Sequence, residues 1–313
     1  MASLQISSDL VLNLSVFYLL ILVGFLISKR AGYGEAVSAY LNPLLINLML
    51  PLLIVSNLIG TTFNALTELP QIVVITIMMH LAGALLLSLY LRTSDIVPKK
   101  KGALLLCATF HNAVFLPIPV SLVFLGETVV PRIAVHSLTQ MILLTTLGTF
   151  IGSYYNEQAI DRKTVTRKAL LFPPLLATIA GFVLSILGVS LPSAGDVFFS
   201  FNNTATTYLS LVVVGLALGK QFSVSDSMQA LPVVTVRQVA IPLLVWVLLG
   251  FTTLTSITKS VLFIESLMPS AVLTVVYASD FRLDAQIAAT IVTIGTVLLL
   301  PFLPLIPFIL SFI

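Results

Sequence analysis

Charged side chains are scarce in this sequence of 313 residues. They make up 9% of the chain, whereas hydrophobic residues make up 58% and the mean hydropathy is +1.12. A soluble globule needs more polar surface than this, because roughly a quarter of the residues in an average soluble domain are charged. The composition therefore excludes a soluble protein and predicts an integral membrane protein.

Cysteine and the usual catalytic motifs are also nearly absent. The single cysteine, Cys107, excludes an internal disulfide framework, and its position in an apolar run favours a small packing residue. The sequence has no H-E-x-x-H motif, no pair of aspartates within an apolar segment and no Ser/His pair at a usable spacing. We therefore expect no enzyme, no nucleic-acid partner and no cofactor other than an ion.

Ten long apolar segments make up most of the chain. Each has about the length that an α-helix needs to cross some 30 Å of hydrocarbon, and none alternates as a membrane β-strand does. We therefore predict an all-α integral membrane protein with ten transmembrane helices. The segments are 9–28, 36–60, 69–92, 102–125, 129–154, 168–190, 202–221, 231–252, 259–279 and 284–311.

Lys and Arg residues are distributed unevenly between the two sides of such a bundle. Placing the N-terminus outside puts thirteen of the 15 in the cytoplasm, Arg237 among them, and leaves Arg132 and Lys259 outside. Short cytoplasmic loops retain Lys and Arg. We therefore predict a multi-pass protein of the cell membrane with both termini outside and no Lys or Arg in the centre of a span.

The chain divides into two similar halves. Five apolar segments precede the polar stretch 156–168 and five follow it, and an odd number forces the halves into opposite orientations. The run "LPIPVSLVFLGE" at 116–127 aligns with "MPSAVLTVVYASD" at 268–280. We therefore predict two inverted five-helix repeats, 1–155 and 169–313, joined by a cytoplasmic linker at 156–168.

Helices 4 and 9 occupy equivalent positions in these repeats, and both contain proline near the middle. Proline removes a helix donor and frees backbone groups that lipid cannot satisfy, so such a break must face protein or water. The free N–H groups and positive dipole end of each second half-helix favour an anion. The matched breaks predict a binding site, whereas Pro43, Pro51 and Pro242 are interpreted as ordinary bends.

Glu265 is an acidic residue well inside the ninth segment. It lies six residues after Lys259 and four before Pro269. A carboxylate at this depth is costly unless it is protonated, paired or hydrated, so a structural role, coupling-ion binding and substrate contact all remain open. Sodium would need oxygen ligands, whereas a proton would not; the candidate sodium ligands besides Glu265 are Leu267, Met268, Asn112, Ser137 and Thr139.

Four other polar residues inside the apolar segments are candidates for a functional role. Two roles for Asn112 remain open. It could form a hydrogen bond between helices, as intramembrane amides often do, or it could bind a ligand. His80, His111 and His136 are interpreted as packing histidines.

Several of these stretches resemble one family. The passage "KGALLLCATFHNAVFLPIPVSLVFLGE" at 101–127 resembles the fourth span of the auxin efflux carrier family. "MPSAVLTVVYASDFRLDAQIAATIVTIGTVLLLPFLPLI" at 268–306 is similar to its last two spans, and "LNPLLINLMLPLLIVSNLIG" at 41–60 to its second. With "LSLVVVGLALGKQF" at 209–222, the resemblance covers nearly the whole chain.

The resemblance implies two inverted five-helix repeats with broken, crossing helices 4 and 9, a fold related to that of the sodium–bile acid symporters. The crossing would fall at 112–119 and 265–270. Family members move organic anions, typically out of the cytoplasm. This chain lacks the glycine that relatives commonly have before the second proline, and its "IESLMP" resembles the segment of bile-acid symporters whose glutamate helps to bind sodium.

We therefore predict a secondary active transporter that exports organic anions, either hydrophobic carboxylates or auxin-like acids, by an elevator-like alternation. Spans 3–5 and 8–10 would move against spans 1, 2, 6 and 7. One alternative is a sodium- or proton-coupled symporter, in which sodium would bind at Glu265. The other is a transporter-like sensor. Membrane lipid is an expected partner, and a homodimer is left open. The candidate substrate-binding residues are Asn112, Phe115, Pro117, Pro119, Met268, Pro269 and Ser270.

Overall fold

The protein is helical throughout the part of the chain that the structure describes. The computed structural model describes residues 8–30, 33–59, 67–156, 167, 170–191, 195–219 and 227–313. Within these ranges the helices are joined by short turns, and no strand forms apart from an isolated bridge between His111 and Ser270. Most of the expected linker at 156–168 lies outside the described residues.

Sixteen α-helices are described. In the first half they are α1 (Ser8–Lys29), α2 (Tyr33–Leu44), α3 (Leu50–Ile59), α4 (Leu69–Arg92), α5 (Pro98–Thr109), α6 (Pro117–Leu125), α7 (Val130–Leu143) and α8 (Thr149–Tyr154). In the second half they are α9 (Pro173–Ile186), α10 (Asp196–Leu218), α11 (Ser227–Thr235), α12 (Ile241–Gly250), α13 (Ser256–Leu267), α14 (Val272–Asp280), α15 (Ala285–Leu299) and α16 (Ile306–Leu310).

Six helical stretches of the described chain are long and apolar enough to cross a membrane. Ser15–Lys29 in α1 and Pro173–Ile186 are shorter apolar helices, and the predicted spans 102–125 and 259–279 are each interrupted in the middle. An all-helical protein with several membrane-spanning helices is thereby confirmed. The six stretches are Tyr33–Ile59, Leu69–Arg92, Glu127–Tyr154, Asp196–Leu218, Met228–Gly250 and Ala285–Leu310.

Three of the long stretches contain a π-helical turn. Leu45–Met49 joins α2 to α3, Leu144–Gly148 joins α7 to α8, and Val236–Ala240 joins α11 to α12. Pro51 and Pro242 lie just after two of these turns. A proline lacks the N–H that would bond the preceding turn, and a wider turn lets the helix continue past it.

The helices pack in two groups. In the first, α1 runs along α10, and α3 packs against both α9 and α10. In the second, α4 contacts α5 and α7, α12 contacts α13, and α15 contacts α5, α11 and α14. The interrupted helices α5–α6 and α13–α14 therefore belong mainly to the second group.

The pair α1 and α10 is held together by direct backbone contact. A Cβ atom added to Gly24 would lie 2.0 Å from the carbonyl oxygen of Val212, and one added to Gly215 would lie 2.0 Å from that of Ile21. Such close approach requires residues without a side chain, as is common between membrane helices. The two glycines thus fix the distance between these helices.

Charged side chains gather at the two ends of the second group. At one end Lys100 Nζ lies 3.8 Å from Asp284 Oδ2. At the other end Arg132 Nη2 lies 3.6 Å from Glu68 Oε2. Each pair therefore joins residues that the predicted topology places on the same side of the membrane. Which of the two ends faces the cytoplasm stays a prediction.

Candidate functional site

The two interrupted helices meet at their breaks. The Asn112 N–H donates a hydrogen bond to the Pro269 carbonyl at 2.8 Å, and the Ala271 N–H donates one to the Phe110 carbonyl at 3.0 Å. The Ser270 hydroxyl donates to the Cys107 carbonyl at 2.7 Å. Backbone groups freed by each break are thus satisfied by the other break, as the absence of water in a bilayer requires.

The first break is shaped by Asn112 and two prolines. Phe110 ends α5 in an extended conformation, with φ −113° and ψ 125°. The Asn112 side-chain oxygen then accepts the Phe115 N–H at 3.0 Å and lies 3.4 Å from the Val114 nitrogen. Pro117 is the first residue of α6, where a missing N–H leaves no helix bond unmade. Asn112 therefore supports the start of the second half-helix.

The second break follows from Pro269. A residue before proline is driven out of the helical region, and Met268 is extended at φ −66°, ψ 141°. Ala271 is also extended, at φ −68°, ψ 140°, so α14 starts afresh at Val272. Two half-helices, α6 and α14, thus begin close to the crossing.

A cavity of about 210 Å³ lies beside the crossing, between the two groups of helices. Asn112, Phe115 and Leu116 line it from the first break, and Val272 and Leu273 line it from the second. Most of the wall is apolar. The other polar side chains on it are Ser38, Asn42, Thr293 and Thr296.

The seven candidate substrate-binding residues take different positions around this cavity. Asn112 and Phe115 line it. The other five are buried in the crossing, where Met268 packs in an apolar cluster with Leu116 and Ile264. The residues buried in the crossing are Pro117, Pro119, Met268, Pro269 and Ser270.

Glu265 lies near the end of α13, beside two histidines. Its Oε2 atom is 3.5 Å from His111 Nε2 and 3.7 Å from His136 Nε2, and the two Nε2 atoms are 2.8 Å apart. All three side chains are completely buried. Neither carboxylate oxygen of Glu265 has a hydrogen-bond partner among the described residues, and neither does His111 Nδ1.

The proton on His136 can be assigned from its neighbours. The Thr76 hydroxyl donates to the Ile72 carbonyl at 2.7 Å, so its contact of 2.8 Å with His136 Nδ1 is one in which the hydroxyl accepts. His136 therefore carries its proton on Nδ1, and in the neutral imidazole Nε2 is a bare lone pair. That lone pair faces His111 and Glu265.

His80 connects this group to the crossing. Its Nε2 atom lies 2.8 Å from Gln140 Oε1, and Gln140 Nε2 donates to the His111 carbonyl at 2.7 Å. The ring centroids of the three histidines lie 4.9 to 6.2 Å apart. They form one polar network, whereas the sequence interpretation treated them as separate packing residues.

Arg237 corrects another expectation. The distribution of Lys and Arg predicted a cytoplasmic position for Arg237, yet it lies in the π-helical turn of the α11–α12 span and is 1% exposed. It interacts electrostatically with Glu265, and none of its guanidinium nitrogens has a hydrogen-bond partner among the described residues. The expectation that no Lys or Arg enters the centre of a span is therefore wrong, and twelve loop charges remain against two.

The expected sodium ligands are only partly grouped around Glu265. Ser137 lines a cavity of about 30 Å³ with His111 and Asn112, but its hydroxyl donates to the Ala134 carbonyl at 3.0 Å. The Thr139 hydroxyl likewise donates to the Val135 carbonyl, at 2.9 Å. Met268 donates its N–H to the Glu265 carbonyl, and Leu267 is partly buried. Imidazole nitrogens are the groups in contact with the carboxylate.

A sequence signal for the histidine network existed. Thr76 and His80 are four residues apart on α4, and His136 and Gln140 are four apart on α7, so each pair lies on one helix face. Each member bonds its counterpart 60 residues away. Two polar residues four positions apart on an otherwise apolar helix indicate a hydrogen-bond network between helices. A single polar residue on such a helix gives no such indication.

Comparisons with known proteins agree with a transport function. The model of a protein family described as "Membrane transport protein" matches residues 11–307. An "Uncharacterized transporter" of Methanothermobacter thermautotrophicus is 25% identical over 299 residues, covering 96% of this chain and 97% of that protein. "Uncharacterized transporter MJ1031" of Methanocaldococcus jannaschii is 26% identical over 299 residues, covering 93% and 95%.

Proposed function

Since this chain belongs to the membrane transport protein family, the auxin efflux carrier family, we propose that it is a secondary carrier of organic anions. Its substrates are hydrophobic carboxylates or auxin-like acids. The observation that carries this proposal is the cavity beside the crossing, where the N-terminal ends of α6 and α14 approach a mostly apolar wall.

The cavity suits a carboxylate joined to a hydrophobic body. Each half-helix carries the positive end of a helix dipole at its start. The first N–H groups of α14, at Val272 and Leu273, have no acceptor within the helix, whereas α6 begins with Pro117 and Pro119 and its Ile118 and Val120 N–H groups bond the Val114 and Leu116 carbonyls. Val272 and Leu273, at the start of α14, line the cavity together with Asn112. The rest of the cavity wall is apolar, which is typical of ligand-binding sites, where a few polar groups orient a largely apolar molecule.

The packing of the helices supports two inverted repeats. Under the predicted repeat, contacts of α1 with α10 correspond to contacts of α9 with α3, and both pairs pack. Contacts of α4 with α7 likewise correspond to those of α11 with α15, and contacts of α4 with α5 to those of α12 with α13. We therefore retain ten spans in two inverted five-helix repeats as part of the proposal.

The position of the cavity suits export by alternating access. It lies between the first group of helices, the scaffold, and the second group, which carries the crossing. Ser38 and Asn42 line it from the part of α2 that follows Lys29 and Arg30, which are cytoplasmic in the proposed topology. A substrate would enter from the cytoplasm, and movement of the second group would carry it outward.

A cation-coupled symporter is the second candidate function. The observation that favours it is Glu265, a completely buried carboxylate without a hydrogen-bond partner among the described residues. Sodium and a proton are the two candidate ions, with Asn112, Leu267, Met268, Ser137 and Thr139 as the proposed further ligands for sodium. The positive charge of Arg237 is a third means of neutralising the Glu265 carboxylate, and in that case the carrier would have no coupling ion.

Counterflow in proteoliposomes tests the proposal. Vesicles loaded with an unlabelled aromatic or aliphatic carboxylate should accumulate the labelled acid transiently and saturably, whereas the corresponding primary amide should give no counterflow. The carboxylate and amide match in shape and differ in charge, so equal counterflow of both would contradict an anion site.

The same vesicles distinguish sodium symport, proton symport and uniport. Uptake is measured with sodium or choline outside, and at two external pH values. Dependence on one ion that is lost in Glu265→Gln would support the symporter. Normal transport by Glu265→Gln, without dependence on sodium or pH, would assign the carrier to uniport.

A further inference from the structure

We propose that His111, His136 and Glu265 form a binding site for one divalent transition-metal ion, of the class that imidazole ligands prefer, such as Zn²⁺, Co²⁺ or Ni²⁺. The proposal does not depend on the organic anion, because it concerns a group of side chains behind the crossing and can be measured without transport.

The spacing of the three donor atoms fits such an ion. Ligands that each lie about 2.0–2.2 Å from a tetrahedral metal are about 3.3–3.6 Å apart. The distances from Glu265 Oε2 to the two histidine nitrogens, 3.5 and 3.7 Å, are close to that range, and the distance between the two nitrogens is shorter, at 2.8 Å. A shift of a few tenths of an ångström would bring all three atoms into coordination.

The protonation of His136 also favours a metal ion. Because Thr76 accepts the Nδ1 proton, the Nε2 lone pair of His136 is directed to the space that it shares with His111 Nε2 and Glu265 Oε2. Without a metal ion, His111 Nε2 can donate to this lone pair and the carboxylate stays without a donor; a metal ion would replace that proton and bind all three atoms. A metal-bound histidine usually donates a hydrogen bond from its other ring nitrogen, as His136 Nδ1 does to the Thr76 hydroxyl, and this bond sets the tautomer and orients the ring.

The neighbouring charge of Arg237 is compatible with this site. Glu265 has two oxygens without a hydrogen-bond partner among the described residues, and Oε2 is the one near the histidines. One oxygen can therefore bind the metal while the carboxylate keeps its electrostatic interaction with Arg237. Imidazole ligands favour a transition metal over sodium, which prefers hard oxygen ligands.

Metal content and Co²⁺ absorption test the site. The full chain, purified in detergent and stripped with a chelator, is incubated with Zn²⁺ or Co²⁺, desalted and analysed by mass spectrometry. We expect about one ion per chain, with visible absorption of low-symmetry Co²⁺. His136→Gln and Glu265→Gln should weaken binding at least tenfold, whereas His80→Gln, an equally buried histidine whose Nε2 faces Gln140, should retain it.

X-ray absorption of the zinc-loaded wild type covers the case in which a ligand variant fails to fold. A first shell of nitrogen and oxygen, with the outer scattering of two imidazoles, would support the site. Wild type that retains no metal after desalting would overturn the proposal. So would equal loss of metal from His80→Gln and His136→Gln, or thermal stability that responds to pH but to neither metal, which would assign the position to a proton.

Discussion

Asn112 has two separable properties at the scale of single residues. Its side-chain oxygen accepts N–H groups at the start of α6, and its side chain also lines the cavity. An aspartate keeps the accepting oxygen but adds a negative charge, whereas an alanine removes the oxygen altogether. The two substitutions therefore distinguish support of the helix from recognition of an anion.

We expect Asn112→Asp to keep the hydrogen bond from the Phe115 N–H and to lose at least tenfold in affinity for a carboxylate substrate, because its added charge lies on the cavity wall. Asn112→Ala should instead lower stability by about 1 kcal/mol, the usual net effect of losing a hydrogen bond such as the one from the Phe115 N–H. Thermal unfolding and substrate-induced thermal shifts measure the two properties. Equal substrate affinity in Asn112→Asp and wild type would remove Asn112 from the anion site.

At the residue scale, the sequence supports predictions only where local chemistry decides the outcome. Asn112 was recognised because it precedes two prolines in an apolar segment, and it does lie on the cavity. Arg237 was placed in a loop because charge counting assumes that cations stay out of spans. Arg237 interacts electrostatically with Glu265 in a different span, and such a partnership becomes visible only in the three-dimensional fold.

At the scale of helices, the contact between α1 and α10 gives a stability prediction. We expect Gly215→Ala to lower the melting temperature, because its Cβ would lie 2.0 Å from the Ile21 carbonyl oxygen and overpacking costs roughly 1–3 kcal/mol. Gly250→Ala is the matched control, since nothing lies within 4 Å of its added Cβ. Equal melting temperatures for the two variants would contradict the close contact.

A second prediction concerns the charged cluster that joins α4, α7 and α13. Burial raises the pKa of Glu68, but hydrogen bonds from the Thr255 N–H and the Thr258 hydroxyl, with the Arg132 charge, outweigh burial and hold this pKa below its ordinary value. A carboxyl group with a lowered pKa stabilises the folded state above its unfolded pKa of about 4.3, and this contribution disappears as pH falls through the folded value.

We therefore expect Glu68→Gln to lower the melting temperature at pH 7, with a difference from wild type that shrinks as the pH falls below about 4. The exposed Glu127→Gln serves as the control and should change little at either pH. A difference for Glu68→Gln that is independent of pH would mean that its charge does not contribute.

The helix breaks were predictable from proline, but their form was not. The sequence indicated interruptions in spans 4 and 9, and α5 and α13 do end there. The first interruption begins at Phe110, seven residues before Pro117, because the extended backbone pairs with Ser270 of the other break. Pairing across 159 residues of chain has no local signal in either segment.

At the scale of the whole molecule, the orientation in the membrane is open to a labelling test. In a Cys107→Ala background, we expect Ser311→Cys to react with an impermeant thiol reagent added outside intact cells, and Thr164→Cys to react only after permeabilisation. The reason is the excess of Lys and Arg predicted on the cytoplasmic side. External labelling at Thr164→Cys would reverse the orientation and with it the proposed direction of export.

The proposed movement of one group of helices against the other is also testable. Ala217 on α10 and Val292 on α15 belong to different groups, and both line the cavity. In the same Cys107→Ala background, a short cleavable crosslinker between cysteines at these positions should stop counterflow, and cleavage should restore it. The physical reason is that alternating access carries the crossing past the scaffold, so a fixed distance between the groups forbids the second half of the cycle.

The control for that experiment is a crosslink within one group. Leu20 on α1 and Leu211 on α10 both belong to the scaffold, and these two helices pack along each other, so cysteines there should remain at a constant distance. Counterflow should persist with this second crosslink, which excludes general damage by the reagent. Full counterflow with the Ala217–Val292 crosslink intact would mean that the two groups do not move relative to each other there, and that access alternates by a smaller rearrangement at the crossing itself.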